Sequence, residues 1–348
     1  MLYICYSIND SFVREAGISL TGFFENNPDY GPEEVFFLDY GIYPDNRKRL
    51  DGIAARYGRR ITYLAAKPVT DAVKREFPQL KGFRGSMAPN AKAFVDQIVP
   101  DYVDRLLFMD ADTVVAGPVK ELEQMDMEGA ALGVVPCNIP PRDLRKVKLL
   151  SGNHLYFNSG ILLYNMPVWR SENCHRMIMD ALHLKIDLTW PDQNLLNNAI
   201  PERLIKRLPL KYNYHTHYFH PHQERGWLRA WKNYSKEEID QATRHPVIIH
   251  YLGGWGASRP WYEGCRSSRK AEYFRYRELT PWKNDPLLRA FKETQPPITF
   301  SDKLTCWLLR QLNNRYSFHV AYCCRLIATS LERVYKRIKK KDHGRTLQ

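Results

Sequence analysis

Apolar residues fall into two alternating rhythms along the first half of the chain. Short runs of β-branched and aromatic residues, Tyr3-Ile4-Cys5-Tyr6, Val35-Phe36-Phe37-Leu38 and Ile61-Thr62-Tyr63-Leu64, predict strands. Between them the apolar positions step by threes and fours. Val13, Ala16, Leu20 and Phe23 form one such face; Leu50, Ile53, Ala54 and Tyr57 form another, opened by Pro44 and closed by Gly58. Phe94, Val95 and Ile98 mark a further helix. Arg105-Leu106-Leu107-Phe108-Met109 is an almost fully apolar strand of the kind buried in parallel sheets. Further along, Leu132-Gly133-Val134-Val135, Ile161-Leu162-Leu163-Tyr164 and Val247-Ile248-Ile249 predict core strands, and residues 169–185 and 191–200 predict helices. The Pro-, Arg- and Lys-rich stretch 136–153 reads as a loop over the site, and 262–302 yields no assignment. Strands alternating with helices predict a doubly wound α/β fold, in which ligands bind beyond the carboxyl ends of the strands. Asp110 stands at that place.

Composition agrees with a packed domain. The 348 residues suffice for one large domain or one with an appendage, and 44% hydrophobic with 13% aromatic residues argue against disorder. The formal charge of +13 is uneven. Eleven basic and two acidic side chains lie between Lys303 and Gln348, so that tail carries +9 and the first 302 residues only +4. A basic tail on a near-neutral body points to an anionic surface and away from nucleic acid. Within the tail, Tyr316, Val320, Cys323, Ile327, Leu331, Val334 and Ile338 recur at helical spacing, which predicts a basic amphipathic helix lying on a membrane surface. The seven scattered cysteines form no CxxC pair and fit reduced thiols. The first residues lack a basic, apolar leader pattern, and no window reaches the length of apolar chain that a membrane span needs. A cytoplasmic location is expected.

Four clusters carry chemistry. Asp110-Ala111-Asp112 follows the apolar strand, so two carboxylates can reach one hard cation where the strand breaks into a loop. Tyr156-Phe157-Asn158-Ser159-Gly160 puts a carboxamide and a hydroxyl on a kinked strand, either to bind sugar hydroxyls or as a β-bulge. Asp192-Gln193-Asn194 opens a helix after Pro191, where an acid also suits the helix terminus. His250 closes the last strand and could present a neutral imidazole to a metal. An Asp-x-Asp-x-Thr after a strand also occurs in haloacid-dehalogenase-type phosphatases, with the first Asp as nucleophile. That alternative expects the site near the start of the domain and a later acidic pair; here more than a hundred residues precede Asp110 and no such pair follows.

The order of these clusters resembles glycosyltransferase family eight, the retaining group that includes glycogenin and bacterial lipopolysaccharide galactosyl- and glucosyltransferases. The likeness runs from about residue 2 to 262: Ile8-Asn9-Asp10-Ser11-Phe12, Lys92, Asp110-Ala111-Asp112, Asn158-Ser159-Gly160, Asp192-Gln193, then His250 and Gly253. The resemblance implies a nucleotide-sugar-binding domain of the GT-A type, a mixed sheet with helices on both faces. It implies Mn²⁺ or Mg²⁺ held by Asp110, Asp112 and His250, and UDP-glucose or UDP-galactose as donor. Phe12 would stack on uracil with Ile8 and Asn9 beside base and ribose, and Ala111 would lie against the nucleotide. Lys92, Asn158 and Ser159 would contact the sugar, Asp192 and Gln193 would lie beneath it as the catalytic pair, and Gly253 and Arg259 would meet the phosphates. Three departures stand out: Arg259 in place of a common Lys and farther from Gly253, Cys137-Asn138 where some galactosyl-transferring relatives have an Asp, and Asn194 where a carboxylate often follows.

The expected organisation is therefore a catalytic region over 1–262, an unassigned extension over 263–302 and a membrane-associating tail over 303–348. The expected activity is retaining, metal-dependent hexosyl transfer from a UDP-sugar to a lipooligosaccharide, lipopolysaccharide or similar surface glycan, at the cytoplasmic face of a bacterial membrane. A non-catalytic glycan- or membrane-binding relative is the remaining alternative.

Overall fold

The computed structural model describes residues 1–83, 85–137, 155–216, 233–252, 259–265 and 267–289, with Ile327, Ser330 and Leu331 beyond them. Strands β1 (Leu2–Ile8), β2 (Glu34–Asp39), β3 (Arg60–Leu64), β4 (Arg105–Met109), β5 (Thr113–Val115), β6 (Leu132–Pro136), β7 (Phe157–Asn165), β8 (Ile205–Arg207), β9 (Tyr214–His215) and β10 (Ile248–His250) form two sheets. The larger has the order β3-β2-β1-β4-β7-β6-β8, and the smaller β5-β10-β9. The first four strands of the large sheet run parallel, and β7 enters antiparallel between β4 and β6. The expected mixed sheet is present. Its alternate residues feed two cores: Ile4, Tyr6, Leu107 and Met109 face one side, and Cys5, Leu106 and Phe108 the other.

Helices cover both faces. They are α1 (Val13–Asn26), α2 (Pro44–Arg56), α3 (Lys67–Glu76), α4 (Lys120–Gln124), α5 (Met166–Ser171), α6 (Cys174–His183), α7 (Pro191–Ala199), α8 (Lys236–Arg244) and α9 (Lys270–Arg277). Several differ from the sequence reading. The helix expected around Phe94 is a 3-10 segment, Ala88–Gln97, interrupted at Phe94 (φ −121°). The helix expected over 169–185 is broken between α5 and α6, where Asn173 takes a left-handed conformation (φ +53°) and its side chain caps α6 through the Arg176 amide. The strand around Val247 belongs to the small sheet. Helices α3, α4, α8 and α9 were not anticipated, and α9 lies in the unassigned segment.

Helix α1 is buried along most of its length because it packs on the large sheet, the small sheet and α9 together. Gly17 and Gly22 permit those approaches: a Cβ on Gly17 would meet the Trp282 ring, and one on Gly22 would lie 2.6 Å from the Val115 carbonyl oxygen and 3.1 Å from Tyr276. The loop 136–153 beyond Cys137, and the tail apart from its three described residues, lie outside the described residues. No helix among the described residues is long and apolar enough to cross a membrane. Replacing Gly22 by Ala should cost about 1–3 kcal/mol of stability through overpacking against backbone. Urea denaturation checks this, and an unchanged midpoint would contradict the packing of α9 on α1.

Candidate active site

The site exists because the chain changes sheets between Met109 and Thr113. At the end of β4 the Asp110 amide donates to the Gly160 carbonyl of β7 at 2.8 Å, and the Tyr251 amide donates to the Asp112 carbonyl at 2.9 Å. Thr113 Oγ1 donates to the Asp110 carbonyl at 2.7 Å and stands 3.0 Å from Ser19 Oγ, so the turn is fixed from behind as well. Residues two apart along an extended chain share a face. Here the turn aims both carboxylates at one place. β10 pairs antiparallel with β5 in the register His250 to Thr113, which sets the imidazole beside Asp112. His250 Nε2 is 3.1 Å from Asp112 Oδ1. Ligand atoms of Asp110, Asp112 and His250 all lie within 4.8 Å of one another. Two carboxylate oxygens and an imidazole nitrogen form a donor set that Mn²⁺ accepts more readily than a purely oxygen-seeking ion such as Ca²⁺.

Cations of the protein already balance these acids. The Lys92 ammonium, 1% exposed, sits 2.6 Å from Asp110 Oδ1 and 3.0 Å from Asp192 Oδ2. Burial disfavours its charge, but Asp110 and Asp192 together outweigh burial and hold it above the ordinary lysine value. Burial raises Asp110, with Lys92 opposing and Asp112 adding to the rise. Asp112 is also subject to burial, yet His250 and then Arg259 overcome it and hold that carboxyl well below the usual range. Arg259 Nη2 reaches Asp112 Oδ2 at 3.1 Å, while its buried Nε makes no hydrogen bond.

Behind the acids, β6 and β7 lose register between Val134 and Val135, so that Val135 pairs with Asn158 and Val134 with Leu162. The expected kink is there. Ser159 Oγ donates to Asp192 Oδ2 at 2.7 Å, and Asn158 Nδ2 to Gln193 Oε1 at 2.9 Å. Asp192 and Gln193 occupy the first turn of α7. Gly160 is required by space: a Cβ there would fall on the His250 ring, 2.7 Å from Nδ1.

In front lies a cleft of about 300 Å³ lined by Ile8, Asn9, Phe12, Phe83, Asp110, Ala111, Asp112 and Arg259, among others. Thus Ile8, Asn9, Phe12, Ala111 and Arg259 share one cavity wall with the two acids. Lys92, Asn158, Ser159, Asp192, Gln193 and His250 are joined to it from behind through Asp110 and Asp112. Gly253 lies outside the described residues. Sequence reading missed Asn213, which joins Asn158 to His250 through bonds of 2.9 Å on either side. Phe83 and the Tyr156 hydroxyl, which accepts from Gln193 Nε2 at 2.8 Å, were missed too. Tyr156 was named within a cluster but its hydroxyl was given no role; Asn213 and Phe83 carry no local pattern.

Comparison with known proteins follows the same lines. Residues 3–265 match the sequence profile of "Glycosyl transferase family 8". General stress protein A of Bacillus subtilis is 22% identical over 81% of this chain and 95% of its own length. A lipopolysaccharide 1,2-glucosyltransferase of Escherichia coli K12 is 25% identical over 82% of this chain and 80% of its own. A lipopolysaccharide 1,3-galactosyltransferase of Salmonella typhimurium is 21% identical with the same coverages, 82% and 80%. Among solved structures, the galactosyltransferase LgtC in complex with donor and acceptor sugar analogues superposes with a TM-score of 0.64, at 19% identity, over 81% of this chain and 96% of that one. The bifunctional glycosyltransferase WbbM superposes with a TM-score of 0.65, at 18% identity, over 81% of this chain and half (50%) of its own. These likenesses share the fold described above.

Substituting Gly160 by Ala should displace the His250 ring and weaken Mn²⁺ binding by about tenfold or more while the far-UV spectrum is kept. Electron paramagnetic resonance of free Mn²⁺ reads the affinity directly. Wild-type affinity in this variant would show that the ring position is irrelevant to the cation.

Proposed function

The chain belongs to glycosyl transferase family 8, and from that premise we propose that it moves glucose or galactose from the UDP-sugar to a lipooligosaccharide, lipopolysaccharide or similar lipid-linked glycan, with retention of configuration. The observation that carries this reading is the convergence of Asp110, Asp112 and His250 at the wall of the cleft that also holds Ile8, Asn9 and Phe12. The nucleotide lies along that cleft, with Phe12 against uracil and Asn9 and Ile8 beside base and ribose. A divalent cation held by Asp110, Asp112 and His250 supplies Lewis-acid neutralisation of the diphosphate leaving group, worth several kcal/mol. Arg259, whose Nε has no partner of its own, offers that nitrogen to a phosphate oxygen, and Gly253, outside the described residues, is proposed for the same phosphates.

Lys92, Asn158, Ser159 and Asp192 hold the sugar from below. Gln193 Oε1 already accepts from Asn158 Nδ2 and, at 3.3 Å, from the Ser159 amide, which uses both of its lone pairs. Asp192 Oδ2 is bound by Lys92 and Ser159. Gln193 therefore has no free lone pair to turn to the anomeric carbon, which favours attack of the acceptor from the face of the departing phosphate, with that phosphate taking the acceptor proton. The phosphatase alternative loses its ground with the family assignment. Names of the curated relatives favour a surface glycan as acceptor. We further propose that the catalytic region spans 1–262, that 263–302 is an extension of it, and that the tail, 303–348, docks on an anionic membrane at its cytoplasmic face. Ile327 and Leu331, four residues apart, are both exposed.

Purified protein should hydrolyse UDP-glucose or UDP-galactose slowly in the presence of Mn²⁺, with EDTA abolishing turnover. Asp112→Asn should lower the rate by about 10²–10⁴-fold, the size expected for losing such neutralisation. Turnover indifferent to both would refute the cation's role, and glycan binding without any product would leave a non-catalytic relative. Deletion of 303–348 should release the protein from vesicles containing anionic lipid while sparing hydrolysis; sedimentation of the truncated chain with those vesicles would contradict the role of the tail.

A further inference from the structure

The buried amides around the site form a relay whose every donor and acceptor is fixed by backbone. A backbone amide can only donate. The Gly160 amide lies 2.9 Å from one terminal atom of Asn158, which must therefore be its oxygen. The Ser159 amide does the same for Gln193, pinning Oε1 inward. Asn158 Nδ2 then donates to Gln193 Oε1, and Gln193 Nε2 donates to the Tyr156 hydroxyl at 2.8 Å. On the other side, Asn158 Oδ1 also accepts from Asn213 Nδ2 at 2.9 Å. That leaves the Asn213 oxygen facing His250 Nδ1, again at 2.9 Å. An oxygen acceptor there requires a proton on Nδ1. In the neutral ring Nε2 is then the bare nitrogen, and it is the one turned toward Asp112.

We infer that Asn213, fully buried next to β9, is a positioning residue that selects the Nδ1-protonated tautomer of His250 and so aims the Nε2 lone pair between Asp110 and Asp112. The inference rests on the reading of these three side chains as cation ligands. It explains why a neutral amide and not a carboxylate stands at position 213. One amide group must donate to Asn158 and accept from His250 at the same time, and a carboxylate cannot donate. It also gives Gln193 a second duty, since the same chain of bonds ends at Gln193 and Tyr156. Free imidazole in water prefers the opposite tautomer, so the selection is work done by the protein.

The tautomer can be read without any metal. In full-length protein labelled with ¹⁵N-histidine, held in alkaline buffer, long-range ¹H–¹⁵N correlation should show His250 protonated on Nδ1, the peak being assigned by its loss in His250→Gln. Asn213→Leu should revert it to Nε2 and weaken binding of Mn²⁺ alone by about 10- to 100-fold, the usual effect of losing the outer partner of a ligating histidine. Asn213→Asp keeps an acceptor for Nδ1 and should bind Mn²⁺ more tightly than Asn213→Leu. Thermal denaturation of both variants accompanies the titration. An Nε2-protonated ring in the wild type overturns the inference, and that outcome needs no variant to fold. Equal weakening in Leu and Asp variants, or none in either, overturns it as well. Failure of the wild type to bind Mn²⁺ would instead count against the cation reading and leave the tautomer result to decide the relay.

Discussion

A buried ammonium between two carboxylates organises this molecule. Taking Lys92 and Asp192 out of water, and Asp110 partly so, is expensive, and their attraction repays the cost only if the geometry is held by other groups. Three separate elements are thereby committed to one another: the 3-10 segment carrying Lys92, the end of β4 carrying Asp110, and the first turn of α7 carrying Asp192. Removing Lys92 would leave both acids without their cation, so the motif that places Asp110 cannot drift independently of α7. The Tyr164 hydroxyl, which donates to the Lys92 carbonyl at 2.8 Å, ties the third side of this arrangement to β7.

Arg259 extends the same balance to Asp112. Two acids that would otherwise face each other across the cleft each have a cation of the protein at hand, one deeply buried and one at the rim. The difference in burial matters for chemistry. Lys92 is enclosed and already shared between two acids, whereas Arg259 lines the cleft and keeps one donor unspent. Charge is thus supplied where a diphosphate would lie, while the floor of the pocket, one ammonium against two carboxylates, stays net negative.

The strands were legible because each is short, apolar and bounded by turn residues; β1, β2, β3, β4 and β7 fall where the pattern put them. Helices without a clean apolar stripe were not. α9 buries Tyr273, Tyr276 and Arg277 amid charged neighbours, so its packing on α1 leaves no helical rhythm to read. The break at Asn173 depends on one backbone angle that composition does not announce. In the site, Asp110 and Asp112 could be read from a strand that ends in acids. His250 and the Asn158 cluster could be picked out from the residues with other readings open, and Lys92 was legible only through the order shared with a family. Asn213 could not be found either way, because its meaning lies in partners 55 and 37 residues distant along the chain. A side chain whose work is to orient another leaves no imprint in its own neighbourhood.

The switch of the chain from the large sheet to the small one, between β4 and β5, has one more implication. Asp110 is anchored to the strands of the first, and His250 to those of the second. The pocket's chelating geometry is therefore a record of how the two sheets are docked, not a property of either alone. Drift that loosens the junction would scatter these side chains while most of the scaffold survived, so the candidate site doubles as the molecule's own gauge of correct assembly.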